Sequence, residues 1–433
     1  MDGEAPVEWL ISVDDHVIEP AGVWADRLPK RYRDRGPRFV IGEGGPTWVF
    51  EDQQIAMGGA ITNGAVPDIS KRNPPWRMIG YEHMHPSCYD AVERTKAMDR
   101  DHVLAALVFP NLPGFCGNLF TRAKDKDLAL LCVKAWNDWM LDEWCGAAPG
   151  RFIPNALVPL WDPAAAAAEL ERVAERGARA FSFSQLPHKV GLPSIHDAGR
   201  YWDPLFSVAN EAEIVVCTHL GSSSSMPTTS DDAPNAVTQV MFQLCGQDTL
   251  IDWLFSGQFQ RFPNLKLALS ENGISWIPAV LQVGEWMQGM ARATDTIPGD
   301  DENEPTVAYD DGDEDTNEVS GRAFLAVARR SREAWKLPSV REQFRDHVFG
   351  CFIEDPHGIK NIDEIGVDNV MIETDYPHSS TRFPNSAQVA AEALAGLSPS
   401  DRYKILQGNA RRVFRFEPAD VAAGRESDAA VPG

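Results

Sequence analysis

Paired cysteines, surplus positive charge, long apolar runs and glycine-rich phosphate loops are all missing from this 433-residue chain. The seven cysteines (Cys88, Cys116, Cys132, Cys145, Cys217, Cys245 and Cys351) form no C-x-x-C pair and no tight cluster. That excludes a disulfide-stapled secreted scaffold and a cysteine-rich metal knot, and leaves buried free thiols. Forty Lys and Arg stand against 63 Asp and Glu, a formal net charge of −23. A surface this acidic repels phosphate backbones and anionic headgroups, so neither nucleic acid nor a membrane surface is an expected partner. No apolar run reaches the roughly 18 residues of a spanning helix. The start, Met1-Asp-Gly-Glu-Ala-Pro6, has neither the basic nor the apolar region of a secretory signal, and the expected location is cytoplasmic. No G-x-G-x-x-G follows the first strand, and no G-x-x-x-x-G-K-[ST] occurs at all.

What is present is an alternation of short apolar runs with helical sequence. Trp9–Val13 reads as a buried strand ending in Asp14, Asp15 and His16. Residues from about 29 to 86, rich in Gly, Pro and Arg, read as an insertion or lid after that strand, with a hairpin around Thr47–Phe50 and Gln54–Met57. Further strands are expected at Leu104–Phe109, Phe152–Val158, Ala178–Phe183, Ile214–Thr218, Leu265–Ser270 and Val370–Glu373, with helices between them. An eighth is expected near Val348–Ile353 or between Ile277 and Arg341. Strands followed by crossover helices define a parallel α/β architecture.

The polar residues choose between an open sheet and a barrel. Asp14 and His16, His219, Glu271 and Asp375 each sit at the C-terminal end of a different strand. A (β/α)8 TIM barrel brings all such ends to one rim, where residues distant in sequence meet. Asp14 and His16, two apart on a strand, face the same way, and Asp15 faces the other. Imidazole nitrogen with carboxylate oxygen suits a divalent ion such as zinc, manganese or iron.

The motifs at these positions are Ser12-Val-Asp-Asp-His-Val-Ile-Glu-Pro20, Cys217-Thr-His-Leu-Gly-Ser222, Ser270-Glu-Asn-Gly-Ile-Ser-Trp-Ile-Pro278, Glu373-Thr-Asp-Tyr-Pro-His378 and Gly408-Asn-Ala-Arg-Arg-Val-Phe414. As an ordered set they resemble the metal-dependent amidohydrolase superfamily, in the amidohydrolase-related branch that includes aminocarboxymuconate-semialdehyde decarboxylase and the aromatic-acid decarboxylases. The resemblance implies a (β/α)8 barrel in which Asp14 and His16 of the first strand, His219 of the fifth and Asp375 of the eighth ligate a divalent metal. Two departures stand out. Many relatives open with H-x-H where this chain has Asp14-x-His16, and the decarboxylases place a His where this chain has Glu271.

Glu271 adds a third carboxylate to Asp14 and Asp375. With one divalent ion and neutral imidazoles the set sums to −1; with two ions it sums to +1 and can hold a bridging hydroxide. Glu271 is therefore protonated, paired with a cation, or a ligand to a second ion, the alternative being a helix cap. His378 is a candidate for contact with the ligands or for a second ion. His83 and His85, in the irregular segment, are candidates for substrate binding.

The leading expectation is a metal-dependent hydrolase of a small-molecule amide, ester or thioester, with metal-activated water and Asp375 or Glu271 as proton acceptor. The alternatives are non-oxidative decarboxylation of an aromatic or unsaturated acid, dinuclear oxygen activation, and a silent barrel paired with an active paralogue. The chain is expected to be one domain over residues 1–418, as a homo-oligomer or a hetero-oligomer with a paralogue, with a frayed tail at 419–433. Residues 300–318 carry ten acidic side chains and no basic one, read as a flexible insertion before the eighth strand.

Overall fold

The computed structural model describes residues 8–74, 76–293 and 332–420. The acidic stretch about 299–318 and most of the 419–433 tail lie outside the described residues.

Twelve strands are described. They are β1 (Leu10–Val17), β2 (Arg38–Gly42), β3 (Gly45–Phe50), β4 (Gln53–Ile55), β5 (Val103–Pro110), β6 (Phe152–Ile153), β7 (Asn155–Ala156), β8 (Ala180–Phe183), β9 (Val215–His219), β10 (Leu267–Ser270), β11 (Val348–Phe352) and β12 (Val370–Ile372). The fold is α/β with two parallel sheets, β1-β5-β6 and β12-β11-β10-β9-β8-β7. The eighth expected strand is β11, which pairs between β10 and β12.

The two sheets meet at two seams. At the first, the expected strand Phe152–Val158 is split by Pro154, which has no N–H to give to a ladder. β6 pairs with β5 and β7 with β8, and the buried Asn155 amide bridges the gap by donating to Val108 O (3.2 Å) and Ser182 Oγ (3.0 Å). At the second seam, Asp375 N–H donates to Asp14 O and His16 N–H to Tyr376 O, both at 2.7 Å. Two residues destined for the site thus hold the end of β12 against β1.

Both faces of the parallel strands are buried, which is why they read as unbroken apolar runs rather than alternating ones. Ile11, Val13, Ala105, Leu107, Phe109, Val215, Cys217, Phe349 and Met371 form one cluster, joined by Val413 and Phe414. Their chain neighbours Ala106, Val108, Val216, Leu267, Val348 and Val370 face the helices. The Gly408–Phe414 motif serves this packing. Asn409 donates to the carbonyls of Val367 and Val370 at 2.8 Å, at the N-terminal end of β12.

Between β1 and β5 the chain forms a small antiparallel sheet, β2-β3-β4, as the hairpin pattern predicts. Trp48 of β3 is buried edge-on against Trp24, with ring centroids 5.5 Å apart. Between β9 and β10 the helical sequence forms two consecutive helices, Asn235–Leu244 and Gly246–Phe255, before the short helical turn Gln258–Arg261. The second begins at a glycine because a Cβ at Gly246 would lie 2.4 Å from Asn272 Oδ1. No helix among the described residues is long and apolar enough to cross a membrane.

Candidate metal centre

The C-terminal ends of β1, β9 and β12 deliver Asp14, His16, His219 and Asp375 to one point. One donor atom from each lies within 4.8 Å of all the others, and all four residues are buried. His219 Nε2 is 3.0 Å from His16 Nε2 and 3.2 Å from Asp14 Oδ2. His16 Nε2 is 3.1 Å from Asp375 Oδ1 and 3.6 Å from Asp14 Oδ1. Both oxygens of Asp14 and Oδ1 of Asp375 accept no hydrogen bond, although each is fully enclosed. Buried carboxylate oxygens left unpaired are costly, and among the described residues no Lys or Arg pairs with them. Two imidazoles and two carboxylates converging this way are the donor set of a divalent cation site.

The surrounding contacts aim these donors. His219 Nδ1–H donates to Leu220 O at 2.6 Å, which turns the Nε2 lone pair toward the cluster. His16 stacks on His378 with centroids 3.7 Å apart. Ser380 Oγ donates to Asp375 Oδ2. Burial pushes the carboxyls of Asp14 and Asp375 far above the usual range, helped at Asp14 by the neighbouring Asp375 and Glu271 charges. The same burial, with His378 and His219 adjoining, pushes His16 well below its ordinary value. Enclosure thus disfavours charge on Asp14, Asp375 and His16, and a divalent cation reverses that preference.

Glu271 borders the four donors without joining them: its Oε2 is 3.8 Å from His219 Nε2. It does not cap the following helix, which starts at Ile277. Its backbone is left-handed (φ 56°), as is that of Asp375 (φ 52°), a strained geometry for side chains other than glycine. Glu271 N–H is anchored on the buried Glu373 carboxylate, at 3.1 and 3.2 Å from its two oxygens. Burial and the Asp375 charge raise the Glu271 carboxyl to about 7. His378 Nδ1 lies 2.9 Å from Asp375 Oδ1, and burial lowers this imidazole to about 4.

His83 and His85 bring no atom to the cluster. His83 Nε2 contacts Arg77 at 3.0 Å and its Nδ1 accepts Gly80 N–H, while His85 is exposed and its Nδ1 engages Ser87. The irregular segment reaches the site through Gly64 instead. Gly64 N–H donates to Pro377 O at 2.9 Å, and a Cβ there would lie 2.0 Å from His378 O.

Sequence reasoning also passed over the support beneath the ligands. Asp15 does point away from the four donors, and there it accepts from Ser12 Oγ, Thr374 Oγ1 and Tyr376 N–H. The fully buried Arg94 donates to His16 O at 2.6 Å and Ser87 O at 2.7 Å, with Asp15 Oδ2 at 3.5 Å. Its one sequence signal is an arginine on a face of helix Ala91–Arg100 that otherwise buries Ala91, Ala97 and Met98. Glu19, in the first motif, accepts Asn111 N–H, Leu112 N–H and Trp136 Nε1–H at 2.9–3.1 Å.

Fold and site together describe an α/β enzyme in which four residues able to hold a metal ion converge at the C-terminal ends of parallel strands. The amidohydrolase family profile matches residues 82–299 and 312–416, and the chain belongs to that family. The match begins after β1, so Asp14 and His16 lie outside it. The gamma-resorcylate decarboxylase of Polaromonas sp. (strain JS666 / ATCC BAA-500) is 23% identical over 335 residues, 75% of this chain and 86% of that protein. An amidohydrolase from Mycobacterium avium subsp. paratuberculosis K-10 has a similar fold, with TM-score 0.68 and 22% identity over 95% of this chain and all of that one. A dihydroxybenzoic acid decarboxylase from Polaromonas sp. JS666, solved with manganese and the inhibitor 2-nitroresorcinol, superposes with TM-score 0.55 and 16% identity, covering 94% of this chain and 97% of that one. These relatives correct the leading sequence expectation of amide, ester or thioester hydrolysis: the named activities among them are decarboxylations of aromatic acids.

Proposed function

We propose that this chain is a metal-dependent decarboxylase of a small aromatic carboxylic acid. It is built as one (β/α)8 barrel over residues 1–418, closed at the two seams and carrying an insertion at about 29–86. The observation that carries the reading is the enclosed set Asp14, His16, His219 and Asp375, in which both oxygens of Asp14 and Oδ1 of Asp375 accept no hydrogen bond among the described residues. The family membership and the decarboxylase relatives support it.

A divalent ion held by these four residues would supply the positive charge that binds a substrate carboxylate with an adjacent phenolic oxygen. The protein's own groups do the rest. His219, fixed by its Nδ1–H bond to Leu220, and His16, fixed by stacking on His378, present their Nε2 atoms inward. The enclosed site excludes water that would compete for the ring carbon. Decarboxylation breaks the bond from ring carbon to carboxylate, leaves the electron pair on the ring carbon, releases carbon dioxide and requires one proton at that carbon. Glu271 stands where the decarboxylases place a histidine, beside the donors, with its Oε2 3.8 Å from His219 Nε2. It is the proton donor in this scheme.

The test is a panel of hydroxybenzoates bearing an isotope-labelled carboxyl group, incubated with manganese-loaded protein. Labelled carbon dioxide should appear with at least one of them. Its absence across the panel, at full metal occupancy, would overturn the proposal.

A further inference from the structure

The two imidazole donors are covered by an aromatic side chain that no motif singles out. Phe115 lies in the loop after β5, half-buried, with its ring centroid 4.0 Å from His219, 5.0 Å from His16 and 6.2 Å from His378. Two left-handed glycines, Gly114 (φ 75°) and Gly117 (φ 79°), bracket it. The loop around the ring is firmly tied. On one side Asn111 and Leu112 donate to Glu19, at 3.0 and 2.9 Å. On the other, Asn118 Nδ2 donates to Ser222 O at 2.8 Å and Ser224 Oγ at 2.7 Å, joining this loop to the one that follows His219.

A second ring meets it at Gly221. A Cβ at that residue would lie 3.0 Å from the Phe242 ring and 3.8 Å from the Phe115 ring, at a left-handed φ of 82°. Gly221 therefore keeps open the narrow space where the two rings converge. Its N–H is held by Gln185 Oε1 at 2.9 Å.

His16 and His219 are fully buried, and a substrate that approaches their ring faces from this side must take Phe115 away from them. Moving the ring forfeits its packing on His219 and His16. A planar aromatic substrate restores that loss by ring-to-ring contact, whereas a saturated ring of the same polar groups restores less of it. We propose that Phe115 is the specificity-determining gate of this site: its ring exchanges the imidazole faces for the face of an aromatic substrate, with Gly221 and Phe242 setting the width of the slot. The inference rests on the proposed function for the site and its substrate class.

The experiment compares salicylate with cis-2-hydroxycyclohexanecarboxylate, which sets a carboxylate beside a hydroxyl on a saturated ring; its alcohol is a weaker metal ligand than a phenol, so the readout is how far each variant changes the wild-type preference. Calorimetric binding is measured on the manganese-loaded full chain as wild type, Phe115→Tyr and Phe115→Leu, with metal content recorded for each. Wild type and Phe115→Tyr should favour salicylate by about tenfold, and Phe115→Leu should lose most of that preference at unchanged metal content. A preference that survives in Phe115→Leu, or a wild type that binds neither compound or both equally, overturns the assignment. The two proposals fail separately. Salicylate preference governed by Phe115 without carbon dioxide release from any acid removes decarboxylation and leaves the gate. Carbon dioxide release with Phe115→Leu still discriminating removes the gate and leaves decarboxylation.

Discussion

Single side chains here are set by a contest between burial and charge. Asp375 and Asp14 sit in full enclosure beside each other, so without a cation each destabilises the fold as an anion. Asp375→Asn, which tolerates the left-handed backbone and has the same shape, should raise the melting temperature of metal-free protein while weakening manganese binding by about 10-fold or more. Calorimetry with and without metal checks both halves; a metal-free protein destabilised by the change would contradict the account. Glu271→Gln separates proton donor from ligand. The donor role predicts a large fall in turnover at unchanged metal content, measured by elemental analysis. Loss of an ion would instead make Glu271 a ligand, with His378 the adjoining candidate.

At the level of elements, the loops are held to the strands by buried polar groups whose partners lie far off in sequence. Glu19 ties the end of β1 to the loop after β5, and burial raises its carboxyl to about 7 against an ordinary value of 4.5. Between those values the unfolded chain is ionised while the folded chain keeps the proton. This group's contribution is thus fully present below about 4.5 and is lost as pH rises through about 7. Relative to Glu19→Gln, wild type should lose up to about 3 kcal/mol between pH 4.5 and 8 in urea titrations. A flat difference would show that the three N–H donors keep Glu19 ionised throughout. Gly64 tests the irregular segment. Since a Cβ meets His378 O at 2.0 Å and Pro377 O at 2.7 Å, Gly64→Ala must push that segment off the site. Turnover should fall together with stability, the latter by about 1–3 kcal/mol; a fully active, equally stable variant would detach the segment from the site.

For the whole molecule, metal and fold are linked. An ion that binds only the folded chain stabilises it by about 4 kcal/mol when present at a thousand times its dissociation constant. Chelation should lower the melting temperature, and manganese should restore it. His219→Ala should remove that metal-dependent increment while leaving a folded protein; an increment that survives would place the ion elsewhere. The net charge of −23 adds self-repulsion across the surface, so moderate salt should stabilise chelated protein.

The sequence by itself determined the element types, the parallel arrangement and the four polar residues that converge at the strand ends. Strands buried on both faces must be continuously apolar, and polar residues that interrupt the ends of such runs have little reason to be there except chemistry. Asp14, His16, His219 and Asp375 were legible for that reason. Tertiary structure decided what depends on neighbours distant in the chain. Pro154 reads as a residue within a strand until the pairing shows a seam. His83 and His85 read as candidates for substrate binding until they are placed beside Arg77 and Ser87, away from the four donors. Gly64 and Phe115 carry no local signal, because a close backbone approach and a ring over two imidazoles are each defined by partners that only folding brings within a few ångströms, and Arg94 shows only its place on an apolar helix face, not what it holds. Local pattern encodes which face is buried, and the packed chain alone sets which groups meet there.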